Sequence, residues 1–245
     1  MMIKVFGSAK ELCFHAMEIF IELAQKNIAK KGRFVVALSG GNTPNMMYDL
    51  LAQKENAQKV NWNNVFVFWG DERYVPYRDP NNNAYQAYQH LLDKVNIPAR
   101  NIFRIPVSGE AHRDARQYEQ NIIEFFQGKP TSFDLIFLGI GDEGHTASIF
   151  PGSALLYEQY DLVKEVYVEL KQSLRISFTS NLINAAREVI FMAAGKTKAN
   201  ALKKIIEGAY HPEIFPAQIV NPVQGHVTWL LDSDAAAQLT RQKKA

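Results

Sequence analysis

The chain is expected to fold as an α/β domain with a doubly wound, mainly parallel sheet and helices on both faces. Three observations lead there. Short runs of β-branched and aromatic residues alternate along the whole sequence with longer segments whose apolar residues recur at helical spacing. Several of the short runs are apolar throughout, as strands buried on both faces are. Four of them end in polar, glycine-marked turns, which is where open α/β sheets place their ligands. Those four turns are read as the lips of one crevice. The 245 residues are enough for one such domain, taken as 1–245, with a small extra lobe expected at about 152–178.

In order, residues 3–6 form a short strand ending at Gly7. Ser8 and Glu11 have capping-box spacing, and Leu12, Ala16, Ile19, Phe20, Leu23 and Ala24 mark a long amphipathic helix. The helix ends at Lys30-Lys31-Gly32, with basic residues at its negative pole. Cys13 and His15 lie on or beside its buried stripe and are assigned to packing. Residues 33–38 (RFVVAL) form a buried strand that stops at Ser39-Gly40-Gly41-Asn42-Thr43-Pro44. Thr43 suits an N-cap and Pro44 the first helical position. Two glycines before a helix N-terminus let bare backbone N–H groups face an anion. A tight turn that needs positive φ would use the same residues.

Residues 65–69 (VFVFW) form the next strand, followed by Gly70-Asp71-Glu72-Arg73. Such a run is either a surface ion-pair cluster or, at a crevice, a set of ligands for hydroxyls and phosphate with Arg73 as the forked donor. Residues 78–83 read as a loop ending in an N-cap, 84–92 as a helix, 101–105 as a short strand, and 111–126 as a helix closed by Gly128. Residues 133–138 form a buried strand running into Gly139-Ile140-Gly141-Asp142-Glu143-Gly144. His145 and Thr146 then start a short helix limited by Pro151. Strands come next at 161–170, 174–178, 189–194 and 227–231, with helices at 179–186, after Gly195-Lys196-Thr197, and at 215–217.

Gly139-x-Gly141-x-x-Gly144 matches the dinucleotide fingerprint by letter, but not by physics. Asp142 and Glu143 put negative charge where a pyrophosphate would sit, Pro151 shortens the helix, and the motif falls mid-chain. The six histidines show no HxH or HxxxH pairing, and Cys13 is the sole cysteine, so neither a metal site nor a disulfide is expected. No GxSxG elbow points to a serine nucleophile. The formal charge of +2 is scattered, and only the tail Arg241-Gln242-Lys243-Lys244 is a basic cluster, so no nucleic-acid partner is expected. No apolar run approaches a membrane span and the first residues lack a signal-peptide core, which favours a cytoplasmic protein. His145 stands as the candidate general base, because an imidazole near pKa ~6.5 works at neutral pH. Glu143 could orient its ring. Arg175 and Lys196 put positive charge near other strand ends.

Taken together, these segments resemble the 6-phosphogluconolactonases, relatives of the glucosamine-6-phosphate deaminases. Ser39 to Pro44 is similar to the family's SGGSTP loop, with Asn42 for Ser. Trp69-Gly70-Asp71-Glu72-Arg73 with Val75-Pro76 is similar to WGDERxVP. Asn82-Asn83 stands at its Ser-Asn, residues 139–152 resemble GMGEDGHTASLFPG, and Arg175 to Thr179 resembles its RxTxT strand. Gly195-Lys196 before a helix and residues 227–232 also fit. The resemblance implies a Rossmann-like fold and a carboxylic ester hydrolase. It would act on the sugar-phosphate lactone 6-phospho-D-glucono-1,5-lactone, without metal or cofactor, as a monomer or small homo-oligomer. It implies His145 as base, with Gly40, Gly41, Asn42, Thr43, Arg73, Lys196 and Arg175 at the phosphate. Asp71 and Asn83 would meet sugar hydroxyls or position Arg73. The family commonly has Asp directly before Gly-His. Here Glu143 takes that place and Asp142 precedes it, so either carboxylate could support the histidine. The deaminase pattern GHIAFNEP has a glutamate five residues after its histidine, where this chain has Phe150. A non-catalytic sugar-phosphate sensor and a dinucleotide oxidoreductase are the competing classes.

Overall fold

The computed structural model describes residues 1–127 and 131–240. Gly128, expected to close a helix, and the basic tail at 241–244 lie outside the described residues. Nine strands occur in order among those described: β1 (Met2–Phe6), β2 (Phe34–Leu38), β3 (Val65–Trp69), β4 (Asp71–Arg73), β5 (Leu135–Leu138), β6 (Val163–Val168), β7 (Ser173–Phe178), β8 (Glu188–Ala193) and β9 (His226–Asp232). Helices are α1 (Ala9–Lys31), α2 (Asn42–Leu51), α3 (Lys54–Ala57), α4 (Asn83–His90), α5 (Ala111–Phe126), α6 (Ser180–Ile183) and α7 (Ala199–Glu207).

Six strands form one parallel sheet in the order β1-β9-β8-β5-β2-β3. From β2 the chain steps outward to β3. From β5 it steps the other way, through β8 to β9, which pairs with β1 at the far edge. The winding therefore reverses between β2 and β5, as expected of a doubly wound fold, and a crevice opens above their carboxyl ends. β2 and β5 are buried at every residue, which is why their sequences are apolar throughout instead of alternating.

Ser8 caps α1 as its spacing implies, while Glu11 reaches one residue beyond the cap, to Gly7 N, instead of closing the box on Ser8 N. Ser8 Oγ accepts from Glu11 N at 3.2 Å, and Glu11 Oε2 accepts from Gly7 N at 3.0 Å. Such a cap is worth about 1 kcal/mol. Gly32 ends α1 at φ 76, where a side chain would be strained. Under β3, Phe68 stacks on Phe103 at 4.5 Å and meets Phe125 and Phe133 edge-on, so one aromatic cluster ties α5 to the strands that carry the crevice.

Several local expectations are corrected. Residues 71–73 are not a turn. They form β4, which pairs antiparallel with β7 in a second sheet of order β4-β7-β6. No strand forms at 101–105. Asn101 ends a short 3-10 turn and its amide donates to Asn63 and Val65 carbonyls, leaving a single bridge between Val67 and Ile102. Gly41, not Thr43, precedes α2 as its cap, and Asn82, not Asn83, caps α4 by accepting from Tyr85 N. No helix starts at His145. Ala147 lies at φ 47, and Thr146 bridges to Ile149, which turns the chain instead of coiling it. The helix expected at 179–186 is only the single turn α6.

Candidate active site

The loop after β2 is held from below. Tyr48, fully buried on α2, donates to Ser39 O at 2.6 Å and accepts from Ser39 N at 3.2 Å. Cys13 donates its thiol to Thr43 O at 3.2 Å, so the α1 residue assigned to packing also touches the start of α2. Gly41 lies at φ 117, and no side chain caps α2. The first amides of that ten-residue helix are left to the crevice, together with the positive end of its dipole. Gly40 is needed for another reason: a Cβ there would lie 1.8 Å from Asn83 Oδ1.

The loop after β5 curls back on itself. Gly141 N donates to His145 O at 2.9 Å, and Gly144 N, at φ 86, donates to Gly141 O at 3.0 Å. Thr146 ties the return by donating to Gly139 O at 3.0 Å. A Cβ on Gly141 would lie 1.9 Å from His145 Nδ1, so this glycine makes room for the imidazole. On its flat side the ring stacks on Phe150, with centroids 3.8 Å apart and planes 16° from parallel. Glu143, not Asp142, reaches the histidine: Oε2 lies 3.2 Å from Nδ1. The approach is close but off the line a hydrogen bond requires, and Nδ1 is buried without another partner. Glu143 Oε1 pairs with Lys171 at 3.1 Å. Asp142 turns the other way, to Lys198 at 2.6 Å and Thr197 at 2.9 Å. Burial holds the His145 pKa below its ordinary value of 6.5, against the opposing pull of Glu143 and Asp71. The ring is therefore neutral at neutral pH, with Nε2 left for the crevice.

The third lip stands on the second sheet. Register pairs Asp71 with Ser177 and Arg73 with Arg175 across β4 and β7. Asp71 Oδ2 accepts from the buried Ser148 Oγ at 2.7 Å and lies 4.0 Å from Arg175 Nη1. Arg73 donates to Asn81 O at 2.8 Å. Between them Glu72 points inward, 1% exposed, and accepts from the backbone N–H groups of Arg73, Asn83 and Ala84 at 2.6 to 2.9 Å. Burial pushes its pKa up to about 7, against those three donors. Glu72 is thus no member of a surface ion cluster. It fastens the start of α4 to β4 and so sets Asn83, whose Nδ2 donates to Asp71 O at 2.9 Å.

These lips enclose a cavity of about 400 Å³. Gly40, Gly41, Asn42, Thr43, Asp71, Arg73, Asn83, His145 and Arg175 all line it. Glu143 and Asp142 lie beside it, in an adjoining cleft shared with His145, Lys171 and Lys198. Lys196 does not line the cavity; it is exposed on the short 3-10 turn Lys196–Lys198, and Lys198 takes the place at the lip. Sequence reasoning misses Lys198, Ser148 and Lys171. For Lys198 a signal exists, since either lysine of Lys196-Thr197-Lys198 satisfies a charge argument. Ser148 and Lys171 gain meaning only from Asp71 on β4 and from Glu143, neither of which is near its partner in sequence. Among the described residues no group of three or more His, Cys, Asp or Glu is placed to hold a metal ion, and no helix is long and apolar enough to cross a membrane.

Comparison with known proteins gives a consistent answer. The family described as glucosamine-6-phosphate isomerases/6-phosphogluconolactonase matches residues 7–229. The 6-phosphogluconolactonase of Synechocystis is 41% identical over 218 residues, covering 87% of this chain and 88% of that protein. That of Nostoc is 36% identical over 97% of this chain and 98% of its own length. The solved structure of 6-phosphogluconolactonase from Trypanosoma cruzi superposes with a TM-score of 0.87 at 30% identity, over 98% of this chain and 97% of that one. The reversal between β2 and β5, the four lips above it and these matches agree: the chain belongs to the glucosamine-6-phosphate isomerase/6-phosphogluconolactonase family.

Proposed function

We propose that the chain hydrolyses 6-phospho-D-glucono-1,5-lactone to 6-phospho-D-gluconate, in the oxidative branch of the pentose phosphate pathway, with His145 as general base. The observation that carries the reading is an imidazole with a carboxylate beside it, facing a cavity rimmed by two guanidinium groups and an uncapped helix start. His145 Nε2 takes a proton from water as the oxygen adds to the lactone carbonyl. The imidazolium is stabilised by Glu143, as the third member of a triad stabilises one. The same nitrogen then returns the proton to the ring oxygen as its bond to the carbonyl carbon breaks. The product acid loses its own proton to solvent. A lactone carbonyl is already electrophilic, so a positioned base and N–H donors suffice.

The phosphate is assigned to Arg73, Arg175, Lys198 and the backbone of Gly40, Gly41, Asn42 and Thr43. Asp71 and Asn83 are assigned to sugar hydroxyls. The reading places the enzyme in the cytoplasm, as a monomer or small homo-oligomer with a small-molecule substrate and no nucleic-acid partner. The deaminase chemistry of the same family is disfavoured by Phe150. It stands where the deaminase pattern has its glutamate, and it packs an apolar ring on His145.

The test is loss of fresh lactone by pH-stat, or NADP reduction coupled to the next dehydrogenase. The expected outcome is hydrolysis well above the spontaneous rate, with His145→Ala lowering kcat by about 10²- to 10⁴-fold, the range of general base catalysis. Full kcat in that variant would remove His145 as the base. Lactone binding without turnover in the native protein would favour a sensor.

A further inference from the structure

Lys171 lies far from Glu143 and His145 in sequence and belongs to the other sheet, at the end of the 3-10 turn Glu169–Lys171 that joins β6 to β7. Gln172 closes that turn at φ 45. Lys171 Nζ lies 3.1 Å from Glu143 Oε1, while Glu143 Oε2 lies 3.2 Å from His145 Nδ1 but is not aligned with it. The carboxylate is thus held between Lys171 on one oxygen and the imidazole edge on the other, with its own backbone N–H as a further donor. Glutamate is one methylene longer than aspartate, and its two oxygens stand one beside the ring and one beside Lys171.

We propose that Lys171 is a positioning residue that sets the pH window of the reaction by holding the Glu143 carboxylate off the axis of the His145 Nδ1–H. The proposal rests on His145 acting as the base. The other charged groups around the imidazole come from separate elements. Asp71 and Arg73 face it from β4, and Arg175 from β7. Asp142 is neutralised by Lys198 on the far side of the loop. Of these, only Lys171 is within ion-pair distance of Glu143 besides His145 itself, among the described residues. The lysine side chain is 44% exposed, so its bare Coulomb contribution is screened. Its effect on the imidazole passes through where it puts the carboxylate.

Without Lys171 the carboxylate is free to line up with Nδ1–H, which favours the imidazolium and raises the His145 pKa. The experiment is an NMR titration of the His145 ring in Lys171→Met, Lys171→Arg, Glu143→Gln and the Lys171→Met/Glu143→Gln double variant, with pH profiles of kcat/KM alongside. Lys171→Met is expected to raise the ring pKa by about 0.5, equivalent to about threefold at the acid limb. Lys171→Arg should restore the native value, and the shift should vanish in the Glu143→Gln background. An unchanged pKa in Lys171→Met, or the same shift with and without Glu143, overturns the proposal. The NMR readout does not depend on turnover. If the ring pKa moves as stated while kcat/KM does not track it, the failure belongs to His145 as the base and not to Lys171.

Discussion

The loops after β2 and β5 leave neighbouring strands at the same end of one sheet, and both are glycine-marked, yet they do opposite work. The first runs Gly40-Gly41 into a ten-residue helix, carries no acid, and presents amides at a positive dipole end. The second runs Gly139-x-Gly141-x-x-Gly144 into no helix at all, carries two acids, and presents an imidazole. Glycine makes both close approaches feasible but does not decide what approaches. In the first loop the absent Cβ leaves space for Asn83, and in the second for His145. The residues after the glycines decide the chemistry: a helix start suits an anion, whereas a carboxylate before a histidine suits proton transfer.

The contrast can be broken at either glycine. Gly141→Ala should be the severest, since the new methyl group would stand 1.9 Å from Nδ1 and must push the imidazole aside. A displacement on the order of 1 Å costs about 10²-fold, so kcat should fall by at least that much with the melting transition retained. Unchanged kcat would mean that the ring is not held where the reaction needs it. Gly40→Ala should act on binding instead. The clash with Asn83 should push the Gly40–Thr43 backbone off its phosphate-facing position, raising KM about tenfold for the phosphorylated lactone, about 1.4 kcal/mol, and less for the unphosphorylated one. Equal effects on the two lactones would separate this loop from the phosphate. The smallest effect concerns pH. Burial holds His145 below 6.5, so the base is deprotonated at neutral pH and activity should fall only as pH drops through that lowered value. Glu143→Gln removes the group that favours the imidazolium, so the acid limb should move to still lower pH. A move upward in the rate profile would show that Glu143 does not back the ring.

The sheet is readable in the sequence because its central strands are buried on both faces. The run 65–69 forms β3 with those bounds, and helix 111–126 forms α5 with those bounds. Errors gather where tertiary partners override local pattern. Asp71, Glu72 and Arg73 have the composition of a turn, and become a strand because β7 supplies a ladder and three backbone N–H groups satisfy Glu72, two of them from the start of α4. The expected helix after His145 is lost to the bond from Thr146 to Gly139 and to Ala147 at φ 47, neither of which has a periodic signature. Within the site, the glycines, Arg73, His145 and Arg175 are legible because motif and strand-end position coincide. Sequence alone points to Lys196 instead of Lys198 because two lysines flank one threonine and only the pitch of the short turn tells them apart. The choice between Asp142 and Glu143 needs Lys198 and Lys171, which capture one acid each.

The stack of Phe150 on His145, with Gly141 pressed near Nδ1 and Glu143 beside it, clamps the imidazole against turning over. A base that cannot flip has one hand. With His145 as the proposed base, the proton gained from water and the proton given to the departing oxygen must pass through the same nitrogen. Both oxygens are bound to the same carbon in the tetrahedral intermediate, so a fixed Nε2 can serve them in turn with only a slight tilt of the substrate. Under that proposal, attack must come from the face of the lactone carbonyl that Nε2 meets, with the ring oxygen within reach of the same nitrogen. A substrate whose ring oxygen points away from that side would be held but not opened.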